Sequence, residues 1–195
     1  MRGIAGLFDV SHMGRLTVNG RQAPAAVDRL TTNWASRLAV NQGQYSLLCH
    51  PSGGILDDLI VYRLGEDKFL FCVNAGNRRK DFRWIHDQVE GLAEVADISF
   101  LEAQIAIQGP RAEEILQQLT PEDLADIPYY CCRRGQIAGA EALISRTGYT
   151  GEDGFELYVP TKYAERSWNQ ILAVGNLLGI QPVGLGSRDT LRLEM

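Results

Sequence analysis

The spacing of apolar residues changes period repeatedly along the chain, and each change marks an element. Leu7-Phe8-Asp9-Val10 is short and apolar. Gly14 to Gly20 alternates and closes on Asn19-Gly20, a turn signal, so two strands are predicted here. From Ala23 to Leu30 the apolar residues Ala26, Val27 and Leu30 share one side of a helix. Gln44–Cys49, Ile55–Leu64 and Lys68–Val73 read as strands, the last two joined through the polar Gly65-Glu66-Asp67 as a hairpin. Between Asn77 and Val89, Phe82, Ile85 and Val89 recur at helical spacing. Arg78, Arg79, Lys80 and Asp81 lie among them, which predicts a surface helix with one buried stripe.

The pattern restarts after Val95, and residues 95–103 form the expected domain boundary. Strands are expected at Ala96–Ser99 and Gln104–Gln108, then a helix over Arg111–Leu119 introduced by Gly109-Pro110. Tyr129–Cys132, Glu141–Arg146 and Phe155–Val159 read as strands, Lys162–Leu178 as a helix, and Asp189–Glu194 as the start of another. Strands and helices do not alternate strictly, as they would in a doubly wound parallel fold. The expectation is an α+β fold: two lobes of largely antiparallel sheet flanked by helices.

Composition adds mainly exclusions. With 45% apolar and 22% charged residues the chain is ordinary globular sequence. A net charge of -5 opposes non-specific binding of a polyanion, so no nucleic-acid partner is expected. No apolar run reaches the roughly 18 residues of a membrane span. The N-terminal sequence enters a strand without the layout of a signal peptide, so a cytoplasmic location is expected. Cys49, Cys72, Cys131 and Cys132 form no Cys-x-x-Cys pair, and His12, His50 and His86 lack metal-ligand spacing. Free thiols and no metal site are expected. The last residues stop inside a predicted amphipathic helix without a cap, so a truncated chain is expected.

Four stretches can carry chemistry. In Gly53-Gly54-Ile55-Leu56-Asp57-Asp58-Leu59-Ile60-Val61-Tyr62 two carboxylates interrupt an apolar strand. Strand neighbours point to opposite faces, so one of the two faces inward or into a cleft, where an unpartnered carboxylate is costly. It is either a held base or acceptor, or edge-strand decoration. Ser145 to Leu157 carries three glycines at three-residue spacing, a loop that lets backbone approach a ligand, or a plain hairpin. It leads into a strand, unlike the dinucleotide fingerprint. Tyr149 and Glu156 are its residues of interest. In Gly184 to Glu194, Ser187 or Asp189 is positioned to cap a helix, leaving Arg188 to meet a carboxylate ligand or simply pair with Asp189 or Glu194. Asp9-Val10-Ser11-His12 invites a hydrolase reading, but no nucleophile elbow is present, and a turn held by side-chain hydrogen bonds is expected.

Taken together, Gly6–Gly14, Tyr45-Ser46, Gly53–Tyr62, Val73-Asn74-Ala75, Gln108-Gly109-Pro110, Arg146–Leu157 and Gly184–Glu194 resemble the T-protein, or aminomethyltransferase, family of the glycine cleavage system. The resemblance implies a three-domain folate-binding fold of which this chain lacks the C-terminal barrel domain and some N-terminal residues. Residues 1–12 with 99–195 would form a first, incomplete folate-binding domain and 13–98 a second. The implied reaction passes a one-carbon unit from the aminomethyl-lipoyl arm of the H-protein to tetrahydrofolate, giving 5,10-methylenetetrahydrofolate and ammonia. Asp58 matches the catalytic aspartate. Glu156 and Arg188 match folate contacts, and Tyr45, Tyr62, Asn74 and Tyr149 would line the same cavity, tetrahydrofolate being a co-substrate. Two relatives of the same fold are alternatives: a non-catalytic folate-binding module of the iron–sulfur cluster maintenance type, whose cysteine signature is not found here, and the folate domain of a sarcosine or dimethylglycine demethylase.

Overall fold

The chain begins one sheet, leaves it to build a second, and returns to complete the first. A computed structural model describes residues 1–194. It divides into two units, Met1–Ser11 with the residues from Leu101 onward, and His12–Phe100. The opening strand β1 (Gly6–Asp9) belongs to the discontinuous unit.

The continuous unit contains β2 (Gly14–Asn19), α1 (Ala23–Leu30), β3 (Gln42–Cys49), β4 (Ile55–Gly65), β5 (Lys68–Val73), α2 (Arg78–Val89) and β6 (Glu94–Asp97). Its sheet is antiparallel throughout, in the order β3-β4-β5-β2-β6. Alternation along the strands sends Leu16, Val18, Leu59, Val61, Phe69 and Phe71 into a core closed by Val27 and Leu30 of α1 and Ile85 and Val89 of α2. Each such side chain, fully buried, contributes about 1.5–3 kcal/mol. Pro24 sits in the first turn of α1, where a missing N–H costs no helix bond.

The other unit adds β7 (Glu102–Gln108), α3 (Ala112–Gln117), β8 (Cys132–Ile137), β9 (Ala140–Ser145), β10 (Gly154–Pro160), α4 (Ala164–Asn176), β11 (Gln181–Pro182) and α5 (Leu185–Leu193). The sheet order is β11-β1-β7-β10-β9-β8, with β1–β11 its parallel pair. Leu7, Ile105, Ile107, Ile144, Phe155, Leu157 and Val159 pack against Ile115 and Leu116 of α3 and Ile171 of α4. The fold is thus α+β with two largely antiparallel sheets. Among the described residues no helix is long and apolar enough to cross a membrane.

Several elements depart from expectation: β6 lies two residues ahead of the strand expected at Ala96–Ser99, no strand is expected where β11 forms, and three others differ for a plain physical reason. The strand expected at Tyr129–Cys132 lies instead at Cys132–Ile137. Tyr130 has φ 61°, a left-handed conformation that stops a strand. Tyr129–Cys132 is an aromatic and apolar run, whereas Arg133-Arg134-Gly135-Gln136 carries no apolar alternation that marks a strand. They form an edge strand paired to β9 alone, where polar residues are tolerated. The helix expected from Lys162 opens as a 3₁₀ turn at Thr161–Tyr163 and becomes α-helical at Ala164. The last helix starts at Leu185 with Gly184 as its N-cap, so neither Ser187 nor Asp189 caps it, and Arg188 lies inside the first turn.

Candidate functional site

In the continuous unit, Asp57 and Asp58 stand on β4 and face opposite ways. Asp57 is buried on the side of the core. Its Oδ2 accepts the backbone N–H of Asn74 at 3.0 Å, and its Oδ1 accepts Asn74 Nδ2 at 3.0 Å and Asn77 Nδ2 at 2.6 Å. Burial alone would raise this carboxyl. The neighbouring Asp81 carboxyl, with the hydrogen bonds from Asn74 and Asn77, outweighs it and holds the group below its ordinary value.

Asp58 is half-buried on the opposite face. The Tyr45 hydroxyl donates to its Oδ2 at 3.1 Å and Asn74 Nδ2 donates to its Oδ1 at 2.8 Å. Tyr45 reaches it because β3 and β4 pair Tyr45 with Ile60 and Leu47 with Asp58, which puts Tyr45 diagonal to Asp58 on one face. Asn74 follows directly on β5, whose Val73 pairs with Leu59. Its Nδ2 is 3.0 Å from the Asp58 carbonyl as well, so two N–H groups serve three acceptors. Tyr62 shares the Asp58 face of β4 and is fully buried. Thus Tyr45, Asp58 and Asn74 are joined by hydrogen bonds, and Tyr62 lies two pleats along the same face.

In the discontinuous unit, Glu156 stands on β10 on the face opposite the core residues Phe155 and Leu157. Gln104 Nε2 donates to its Oε1 at 2.9 Å and the Thr147 hydroxyl to its Oε2 at 2.6 Å. Burial raises this carboxyl, against the lowering effect of those two bonds and of the Arg188 charge. The Arg188 guanidinium lies 4.1 Å from the Tyr149 ring centroid, with Arg192 at 5.0 Å, so the ring has two cations against it. Arg188 also pairs loosely with Asp189 at 3.8 Å. The glycine-rich loop is braced by Gln108, which donates to Thr147 O and accepts from the Thr150 hydroxyl. Near the other end of the chain, Ser11 N–H bonds Asp9 Oδ1 at 3.0 Å, the turn expected for that stretch.

The residues that support these groups, Asn77 and Asp81 behind Asp57 and Gln104 and Thr147 around Glu156, belong to none of the expected site residues. Asp81 had a visible signal. It precedes Ile85 and Val89 by four and eight residues, on the buried stripe of α2, and is fully buried. Gln104 and Thr147 reach Glu156 only through sheet pairing across β7 and the glycine loop, and no local pattern marks them. Among the described residues, no three His, Cys, Asp or Glu side chains cluster as metal ligands would.

The family described as "GCVT N-terminal domain" matches residues 1–195. The chain is 54% identical over 195 residues to the aminomethyltransferase of Moorella thermoacetica, covering all of this chain and 53% of that protein. It is 51% identical over 197 residues to the aminomethyltransferase of a Thermoanaerobacter species, again covering all of this chain and 53% of the relative. The glycine cleavage system aminomethyltransferase T from Bartonella henselae superposes with a TM-score of 0.90 at 34% identity, over 99% of this chain and 51% of that one. The heterotetrameric sarcosine oxidase from Corynebacterium sp. U-96 superposes at 0.71 with 18% identity, over 92% of this chain and 87% of that one, a likeness of fold alone. The chain spans about half the length of the curated relatives it matches. On the family match along its whole length and the superposition on a solved aminomethyltransferase, the chain belongs to the GCVT N-terminal domain family of aminomethyltransferases.

Proposed function

We propose that this chain supplies the folate-binding and catalytic residues of a glycine cleavage aminomethyltransferase, with Asp58 as the catalytic carboxylate. The substrates are tetrahydrofolate and the aminomethyl-lipoyl arm of the H-protein. The supporting observation is the grip on Asp58: each oxygen holds one donor, Tyr45 on Oδ2 and Asn74 on Oδ1, and each keeps a lone pair for a ligand N–H. A carboxylate fixed in this way can accept a hydrogen bond from a folate nitrogen, orient its attack on the aminomethyl carbon, and stabilise the positive charge that develops there. Two C–N bonds form to the folate, while the C–S and C–NH2 bonds break. The two folate N–H protons leave with the thiol and with ammonia, so no redox partner is needed.

Glu156 is assigned the 2-amino-4-oxopterin edge, where a carboxylate accepts two parallel hydrogen bonds. Arg188 contributes positive charge beside it, and Tyr149 a flat face for stacking. In the other unit, Tyr62 and Tyr45 are assigned an aromatic role on the Asp58 face. Calorimetric titration with tetrahydrofolate tests binding, and Glu156→Ala should weaken it by roughly 10- to 100-fold, the loss of a charge-assisted pair. Catalysis is tested in a chimera in which this chain replaces the matching half of the Moorella relative. Asp58→Ala should cut methylenetetrahydrofolate formation by about 10²–10⁴-fold with binding retained. Normal turnover by that variant, or no binding by either protein, overturns the reading.

A further inference from the structure

We propose that Asp81 is a positioning residue for Asp58: its buried carboxyl donates a hydrogen bond to Asp57, and Asp57, held in place, fixes Asn74 against Asp58. The inference takes its purpose from the catalytic reading of Asp58, but its geometry is independent of that reading.

Asp81 is fully buried on α2. Neither of its oxygens meets a donor, although both are shielded from water. A first-turn position on a helix suits an ionised acid, yet these oxygens reach no helix N–H. Asp81 lies one helical turn past Asn77, to whose carbonyl its N–H bonds at 2.9 Å, and Asn77 Nδ2 reaches Asp57 Oδ1 at 2.6 Å, so the Asp81 carboxyl sits beside the Asp57 carboxyl of β4. Two ionised carboxylates in dry contact repel, and an unpaired buried charge is costly. A single proton on Asp81 resolves both problems by turning an orphaned acceptor into a donor.

The Asp57 side has room for that bond. A carboxylate offers about four acceptor positions. Three are filled by Asn74 N–H, Asn74 Nδ2 and Asn77 Nδ2, which leaves one for Asp81. The charged groups acting on Asp81 are Asp57 from β4 and Lys80 from its own helix. The Lys80 ammonium is engaged elsewhere, donating to Leu56 O at 2.6 Å and Asn77 Oδ1 at 3.0 Å. The surroundings accord with a held proton, since burial first and Asp57 second push the Asp81 carboxyl up to about 8. The consequence reaches Asp58 through one atom: Asn74 Nδ2 touches both Asp57 Oδ1 and Asp58 Oδ1.

The test is nuclear magnetic resonance on the isotope-labelled chain, comparing the wild type with Asp81→Asn and Asp81→Ala. Asparagine keeps a donor toward Asp57 at every pH, and alanine removes it. The side-chain amide protons of Asn74 should exchange slowly in the wild type and in Asp81→Asn. In Asp81→Ala they should exchange at least about 10-fold faster, the loss of one hydrogen bond. The wild type should lose this protection as pH rises through about 8, with the carboxyl carbon of Asp81 titrating in step, and Asp81→Asn should not. Should the alanine variant not fold, the wild-type pH series against Asp81→Asn still decides. Protection that survives in the alanine variant, vanishes in the asparagine variant, or shows no pH dependence in the wild type overturns the proposal. Full turnover by Asp58→Ala in the chimera would instead sink the catalytic reading and leave these signals untouched.

Discussion

Asp57 and Asp58 have the same chemistry and are adjacent in sequence, yet the strand pleat gives them different tasks. Asp57 sits in a closed set of amide donors with Asp81 behind it, and Asp58, half-buried, holds one donor on each oxygen. The closed set has a thermodynamic consequence that can be measured without any substrate. In the unfolded chain Asp81 releases its proton at an ordinary carboxylate value, and in the folded chain only near 8. Between those values the folded state binds the extra proton, so stability falls as pH rises. The slope is at most about 1.4 kcal/mol per pH unit. Asp57 adds nothing in this window, because its depressed group is already ionised in both states above about pH 5. Urea unfolding of the wild type at pH 5, 6.5 and 8 should therefore show a steady loss that Asp81→Asn lacks. Parallel curves for the two proteins would show that Asp81 is ionised in the fold.

At the scale of elements, the glycine-rich loop shows why residue identity matters more than element type. A Cβ added at Gly148 would overlap the side-chain amide of Gln108, and that amide cannot swing away, since Thr147 O and the Thr150 hydroxyl hold it. Gly148→Ala should cost about 1–3 kcal/mol, lowering Tm by roughly 3–10 °C. Gly54→Ala meets open space and serves as the control. A Gly148 variant as stable as the control would mean that the loop is not braced through Gln108. The hydrophobic period placed β4 and α2 almost to the residue, because each buries one regular face. It failed at β8, where an edge strand buries too little to leave a pattern, and at the start of α5, where the cap is a glycine with no side-chain bond. The carboxylate pair on β4 was legible because charge inside an apolar strand is anomalous. Asp81 was hidden because charge on a helix is not, although its spacing from Ile85 and Val89 placed it on the buried stripe.

For the whole molecule, the route of the chain makes the two units unequal. The unit His12–Phe100 is one continuous segment with its own sheet and its own core. The other draws β1 from the start of the chain and places it between β11 and β7, with Ala5 and Leu7 in its core. Without Met1–Ser11 that unit loses a strand pairing four residues of β7, and it loses the burial of Leu7, worth about 2–3 kcal/mol by itself. Against the 5–15 kcal/mol typical of a domain, the combined loss of core, ladder and coverage is decisive. Expressed separately, His12–Phe100 should give a cooperative thermal transition by circular dichroism and dispersed amide signals. It should also retain the slow Asn74 side-chain protons, because Asp57, Asn74, Asn77 and Asp81 all lie within it. The segment from Leu101 onward should show neither, and adding Met1–Ser11 through a flexible linker should restore both its transition and its dispersion. If the later segment folds alone, β1 is dispensable to its sheet. If His12–Phe100 does not, the five-stranded sheet and its two helices are too little to fold on the core they bury.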